Sequence, residues 1–94
     1  MSSDTIARLQ ERLATLNPLH LELEDDSQRH AGHAGARDGG GHYRLTIVAE
    51  IFRGRSTLAR HRLVYDAAGN LMQGPVHALS IRALAPEEVP HQAR

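Results

Sequence analysis

Seven histidines are spread over this 94-residue chain, His20, His30, His33, His42, His61, His77 and His91, and no cysteine accompanies them. Imidazole is the side chain that ligates metals and moves protons near neutral pH. A chain without thiols has no disulfide, no thiol nucleophile and no thiolate ligand of its own. Two of the histidines fall in the text His30-Ala31-Gly32-His33-Ala34-Gly35, and His42 follows directly on Gly39-Gly40-Gly41. On a helix a His-x-x-His spacing presents both rings on one face; on a glycine-rich segment it fixes nothing, and solvated histidines are the ordinary outcome. His77 opens an apolar run just after Gly74-Pro75. It has two readings: a core-facing ring satisfied by a neighbouring backbone group, or a ligand carried on a rigid strand. The cationic run Arg60-His61-Arg62 stands ahead of Tyr65. It is either a solvated helix face or a surface for phosphate or a partner's carboxylate, since arginine and tyrosine are enriched at interfaces. Neither Ser56 nor Ser80 sits in a nucleophile motif, so the chain does not read as an enzyme.

The hydrophobic periods say what must position these residues. Ile6, Leu9, Leu13 and Leu16 make one apolar stripe, predicting a helix over 4–16 with Asp4 as its N-cap and Arg8 paired weakly with Glu11. Asn17-Pro18 stops it. Leu19, Leu21 and Leu23 alternate with His20, Glu22 and Glu24, the pattern of a half-buried strand over 19–25. Residues 27–41 read as a mobile, glycine-rich loop. A second strand over 42–51 turns Tyr43, Leu45, Ile47, Ala49 and Ile51 inward and pairs antiparallel with the first. Phe52-Arg53-Gly54-Arg55 then turns the chain.

Ser56 caps a helix over 57–68 that Gly69 ends. Its apolar arc holds Ala59, Leu63, Val64 and Ala67, with Leu71 extending it; Leu58, His61, Arg62 and Tyr65 lie opposite. Arg60 falls inside the apolar arc, its stem packed and its guanidinium at the rim. A third strand over 76–84 puts His77 on one face with Leu79, Ile81 and Ala83. Both faces are apolar enough to place it well inside the sheet, parallel to the second strand through a right-handed crossover. Pro86-Glu87-Glu88 begins a closing turn, and residues 89–94 fray.

The chain as a whole is long enough for one domain with a small core. Its fold class is α/β (α+β), order α-β-β-α-β, a three-stranded mixed sheet with the helices on one face; the ordered part runs over about 4–88. Eleven basic and eleven acidic residues give zero net charge with neutral histidines. That argues against a strong grip on nucleic acid. No apolar run approaches the roughly 20 residues that span a bilayer, so no membrane partner is expected. The N-terminus shows no secretory signal, making the cytoplasm the expected compartment.

Arg60-His61-Arg62-Leu63-Val64-Tyr65, Val76-His77-Ala78-Leu79-Ser80-Ile81, Phe52-Arg53-Gly54, and Asp26-Ser27 leading to Arg29-His30-Ala31 together resemble BolA-like proteins. The resemblance covers roughly residues 4–88 and implies a fold similar to a type II KH domain. It implies a role in iron–sulfur cluster assembly or iron regulation, with a monothiol glutaredoxin as partner. In that arrangement a [2Fe-2S] cluster is shared with the partner's cysteine and glutathione, and the chain alone, a monomer or weak homodimer, carries no cofactor. His77 is implied as one ligand and a loop histidine as the second, with His30 and His42 ranked above His33. Histidine ligation of one iron of such a cluster is known chemistry, as in Rieske centres. Arg60, His61, Arg62 and Tyr65 are the expected partner-binding surface. The alternative implied by the resemblance is a DNA-binding transcriptional regulator of morphology and stress response, with Arg53, Arg55, Arg60 and Arg62 as the contacts. Against it, Gly69 and Gly74 do not form the Gly-x-x-Gly loop with which KH domains clamp nucleic acid.

Overall fold

The computed structural model describes residues 2–26 and 41–90. The loop with His30 and His33, and the tail with His91, lie outside the described residues. The chain runs α1 (Ser2–Leu13), β1 (His20–Asp25), β2 (Gly41–Val48), α2 (Thr57–Ala68) and β3 (Val76–Leu84), with short 3-10 turns after α1, β2, α2 and β3. The strands form one sheet of order β1-β2-β3, antiparallel between β1 and β2 and parallel between β2 and β3.

One face of this sheet carries the core. Leu9 and Leu13 from α1, and Val64 and Ala68 from α2, pack on Tyr43, Leu45 and Ile47 of β2 and on Leu79 of β3. The stripe anticipated on α1 is the buried one, with Ile6 and Leu16 packed at its margin. Asp4, however, is not the cap: the helix already starts at Ser2. From inside the first turn its carboxylate meets Arg8 at 3.4 Å, so Arg8 reaches back toward the helix N-terminus and not on to Glu11. Asn17, at φ 55°, ends the turn after α1 in a left-handed conformation that asparagine tolerates.

The second helix obeys its sequence signals. The Ser56 hydroxyl accepts the Ala59 N–H at 3.1 Å, and Gly69 closes the helix at φ 59°, where a side chain would be strained. Arg12 ties the two helices together, donating to the Ala68 carbonyl at 3.1 Å and to Asn70 Oδ1 at 3.2 Å. This explains why Gly69 has little room: a Cβ there would lie 3.0 Å from Arg12 Nη1.

The strands depart from expectation in four places. Leu19 lies outside β1 and is 65% exposed, although Leu21 and Leu23 pack on the core. β2 ends at Val48, and a 3-10 turn over Glu50–Phe52 takes Ile51 to the surface. That turn drives Phe52 fully into the core, where it is the largest completely buried side chain. β3 is an edge strand, not an interior one; its polar positions Ser80 and Arg82 face outward. Finally, His77 does not share the core face with Leu79.

Candidate metal-ligating site

Because β2 and β3 are parallel, both strands begin at the same end of the sheet. The Gly41 N–H donates to the Pro75 carbonyl at 2.8 Å, and Gly41 stands opposite Val76. The next pair is His42 with Ala78, so the register slips there and β3 spends one extra residue against β2. Such a bulge re-aims the side chains around it. Val76 and Leu79 both stay buried, and the residue displaced outward between them is His77, which is exposed. The core-facing reading of His77 is thereby corrected: the alternation breaks at the bulge.

The same slip brings two imidazoles together. The rings of His42 and His77 lie 5.2 Å apart between centroids, with their planes inclined by 41°. Two imidazoles bound to one tetrahedral metal, at ordinary metal–nitrogen distances, hold their centres on the order of 5 Å apart. The spacing of the two rings is therefore that of two imidazoles on one metal, both carried on strand backbone. Among the described residues no group of three or more His, Cys, Asp or Glu could hold a metal ion. Completing a coordination sphere here calls for ligands from outside those residues.

Gly41 shapes the entrance to this corner. A Cβ on it would fall 2.7 Å from the ring of Tyr43, the buried neighbour two residues on. The tyrosine covers the glycine, and His42 sits between them on the opposite face.

The other candidates are separated from this pair. His20 pairs with Glu22 at 3.3 Å on β1. Arg60 is drawn inward: its side chain is 12% exposed and holds Glu88 through two contacts of 2.6 and 3.0 Å. It also donates to the carbonyls of Ala83 and Arg55 at 3.0 and 2.9 Å. Hydrogen bonds to Glu88 from Arg60, and then from the Ala85 N–H, hold its carboxyl down at about 2. Arg53 bonds Glu50 and pairs with Glu87, each at 2.8 Å, and Arg55 donates to the Ile51 carbonyl. These partners were not evident from the sequence, where Glu87 and Glu88 read only as a turn; the available signal was a surplus of arginine in a segment with few acids. On α2 the exposed residues are Thr57, Leu58, Arg62, Tyr65 and Asp66, with Leu58 60% and Tyr65 42% exposed, and His61 is half-buried.

A three-stranded mixed sheet with two helices on one face makes this a small α+β domain, with a pair of neighbouring histidines where β2 and β3 begin. The profile of BolA-like proteins matches residues 13–88, and the chain belongs to the BolA-like protein family. It is 46% identical over 88 residues to SufE-like protein 1 of Arabidopsis thaliana, covering 87% of this chain and 24% of that protein. The solved BolA domain of that SufE1 matches with a TM-score of 0.77, covering 88% of this chain and 93% of the domain. BolA-like protein 1 of Mus musculus is 44% identical over 73 residues, covering 78% of this chain and 51% of that protein. The DNA-binding transcriptional regulator BolA of Escherichia coli is 33% identical over 82 residues, covering 86% of this chain and 75% of the regulator. The chain thus spans about a quarter of that SufE-like protein and about half of that BolA-like protein 1.

Proposed function

We propose that this chain is a non-catalytic adaptor in iron–sulfur cluster assembly or iron regulation, closing a [2Fe-2S] cluster jointly with a monothiol glutaredoxin. The observation that carries the reading is the His42–His77 pair, two nitrogen ligands at the mouth of a parallel strand pair in a chain without thiols. The partner's cysteine and glutathione supply the thiolates, and the α2 surface with exposed Arg62 and Tyr65 and half-buried His61 forms the docking face. Arg60 acts on that face indirectly, by fixing the helix that carries it. Occurrence of the same domain within a SufE-like protein accords with an iron–sulfur role. The test is anaerobic mixing with a cluster-loaded monothiol glutaredoxin, read by visible absorption and circular dichroism. His77→Ala and His42→Ala are expected to change the spectrum and shorten the cluster's lifetime without unfolding the chain. His30→Ala, the competing loop ligand, is expected to leave both unchanged. An unchanged spectrum in His77→Ala would sink the ligand assignment.

The name of the Escherichia coli relative favours one second reading, a DNA-binding regulator. Of the four arginines it needs, Arg53 and Arg60 are neutralised by carboxylates, Arg55 is turned onto a backbone carbonyl, and Arg62 remains exposed. Such a surface yields weak, salt-sensitive binding. A sequence-selective complex that survives physiological salt and is lost in Arg62→Ala would favour the regulator.

A further inference from the structure

The sheet face turned away from the helices carries a feature that cluster sharing does not use. Arg44 stands opposite Ser80, and Thr46 opposite Arg82. Positions two apart on a strand share a face, so these four side chains form a checkerboard: two guanidiniums on one diagonal, two hydroxyls on the other. Between them lies a shallow depression of about 270 Å³ lined by these residues and by Leu45 and Ile81. Arg82 is exposed, and its side chain makes no ion pair or hydrogen bond among the described residues. Arg44 is held only loosely, 3.7 Å from Glu24 and 3.9 Å from Asp26, both beyond hydrogen-bonding distance.

We propose that this checkerboard is a binding site for a phosphate group. A planar carboxylate occupies one arginine fork. A tetrahedral oxyanion offers acceptors in several directions and engages both guanidiniums and both hydroxyls at once. The neighbouring strand argues for a compact phosphate over a nucleic acid. Glu22 and Glu24, opposite Thr46 and Arg44 on β1, would repel any polyanion laid across the sheet, and among the described residues the face carries imidazole but no Phe, Tyr or Trp for a base to stack on. Phosphate and Glu24 therefore compete for Arg44, while Arg82 stands open.

The test is an NMR titration of the full chain at fixed ionic strength, with inorganic phosphate and O-phosphoserine in parallel and acetate as the carboxylate control. Saturable shifts at the amides of Arg44, Thr46, Ser80 and Arg82 are expected with either phosphate compound, and the tighter of the two names the source. Arg82→Gln should weaken binding about tenfold or more, the loss of a charge-assisted hydrogen-bond donor; Ser80→Ala should weaken it less. Both positions are exposed, so unshifted core resonances will show that the fold is kept. Glu24→Gln should tighten binding by removing the competitor. Equal response to acetate, unchanged affinity in Arg82→Gln, or tighter binding of oligothymidylate at the same four amides would each overturn the proposal.

Discussion

Replacing Gly41 with alanine tests how the histidine corner is built. The new Cβ would stand 2.7 Å from Tyr43 Cε2 and from its hydroxyl oxygen, and 2.8 Å from Cζ. Those atoms are the far end of a side chain, but the ring is only 4% exposed and packs in the core, so it has little room to swing. Overpacking of this kind costs about 1–3 kcal/mol. Against it, alanine restricts the unfolded chain, and because Gly41 has no positive φ that gain of about 0.4–1 kcal/mol is kept in full. The net loss is on the order of 1 kcal/mol, which lowers Tm by about 4–8 °C in a domain this small. Thermal and urea unfolding measure it. The control is Gly41→Ala in a Tyr43→Leu background, where the obstructing ring is gone. There the same substitution should become neutral or stabilising, giving a coupling about equal to the overpacking cost. Equal destabilisation in both backgrounds, or stabilisation of the wild type by Gly41→Ala, would refute the ring-over-glycine account.

Three further outcomes are expected. Phe52→Ala empties the largest fully buried position and should cost about 3–5 kcal/mol in urea unfolding, enough to threaten the fold of so small a domain. Ser56→Ala removes the acceptor for the Ala59 N–H and should cost about 1 kcal/mol, read in the same experiment. The Glu88 carboxyl sits at about 2, below its ordinary 4.5, so between those values the folded chain binds fewer protons than the unfolded one. Its contribution is complete above about pH 4.5 and is lost as pH falls through about 2; Glu88→Gln should flatten the stability–pH curve across that window.

The features legible in the sequence are those written in local signals. Ser56 and Gly69 bracket α2 as anticipated, because capping and a positive φ depend on one residue each. The limits of β3, Val76–Leu84, follow from the Gly74-Pro75 break before it and Pro86 after it. The order of elements follows from the two hydrophobic periods. What was not legible depends on residues distant in sequence. Nothing in Val76-His77-Ala78-Leu79 announces a bulge, since its alternation is as good with His77 inward; the slip arises from pairing with β2. Strand order hides for the same reason: β3 looked interior because Ala78 and Leu84 are apolar, yet among the described residues only β2 has two neighbours. Phe52 reads as a turn residue and is buried because the turn folds back on the core. The Arg60–Glu88 clamp joins residues that sequence spacing does not relate.

The histidine corner is therefore a product of topology more than of motif. His42 and His77 sit near the beginnings of their strands, and only a parallel pairing brings two beginnings together. Were β3 reversed against β2, His77 would lie beside Val48, and His42 would face Leu84. A parallel neighbour requires a crossover long enough to bring the chain back to the starting end of the sheet. Here α2 and the turn after it are that crossover. Its near end is held by the Ser56 cap and its far end by Arg12 on the Ala68 carbonyl. Midway, Arg60 bonds the Ala83 carbonyl of β3 and grips Glu88 just beyond that strand. Each anchor stands away from the imidazoles, and the start of β3 is tied to β2 by the Gly41 N–H on the Pro75 carbonyl. With that start fixed, the bulge turns His77 out toward His42. The cationic helix and the histidine pair, which look like separate signals in the sequence, are thus the crossover and the site that the crossover creates.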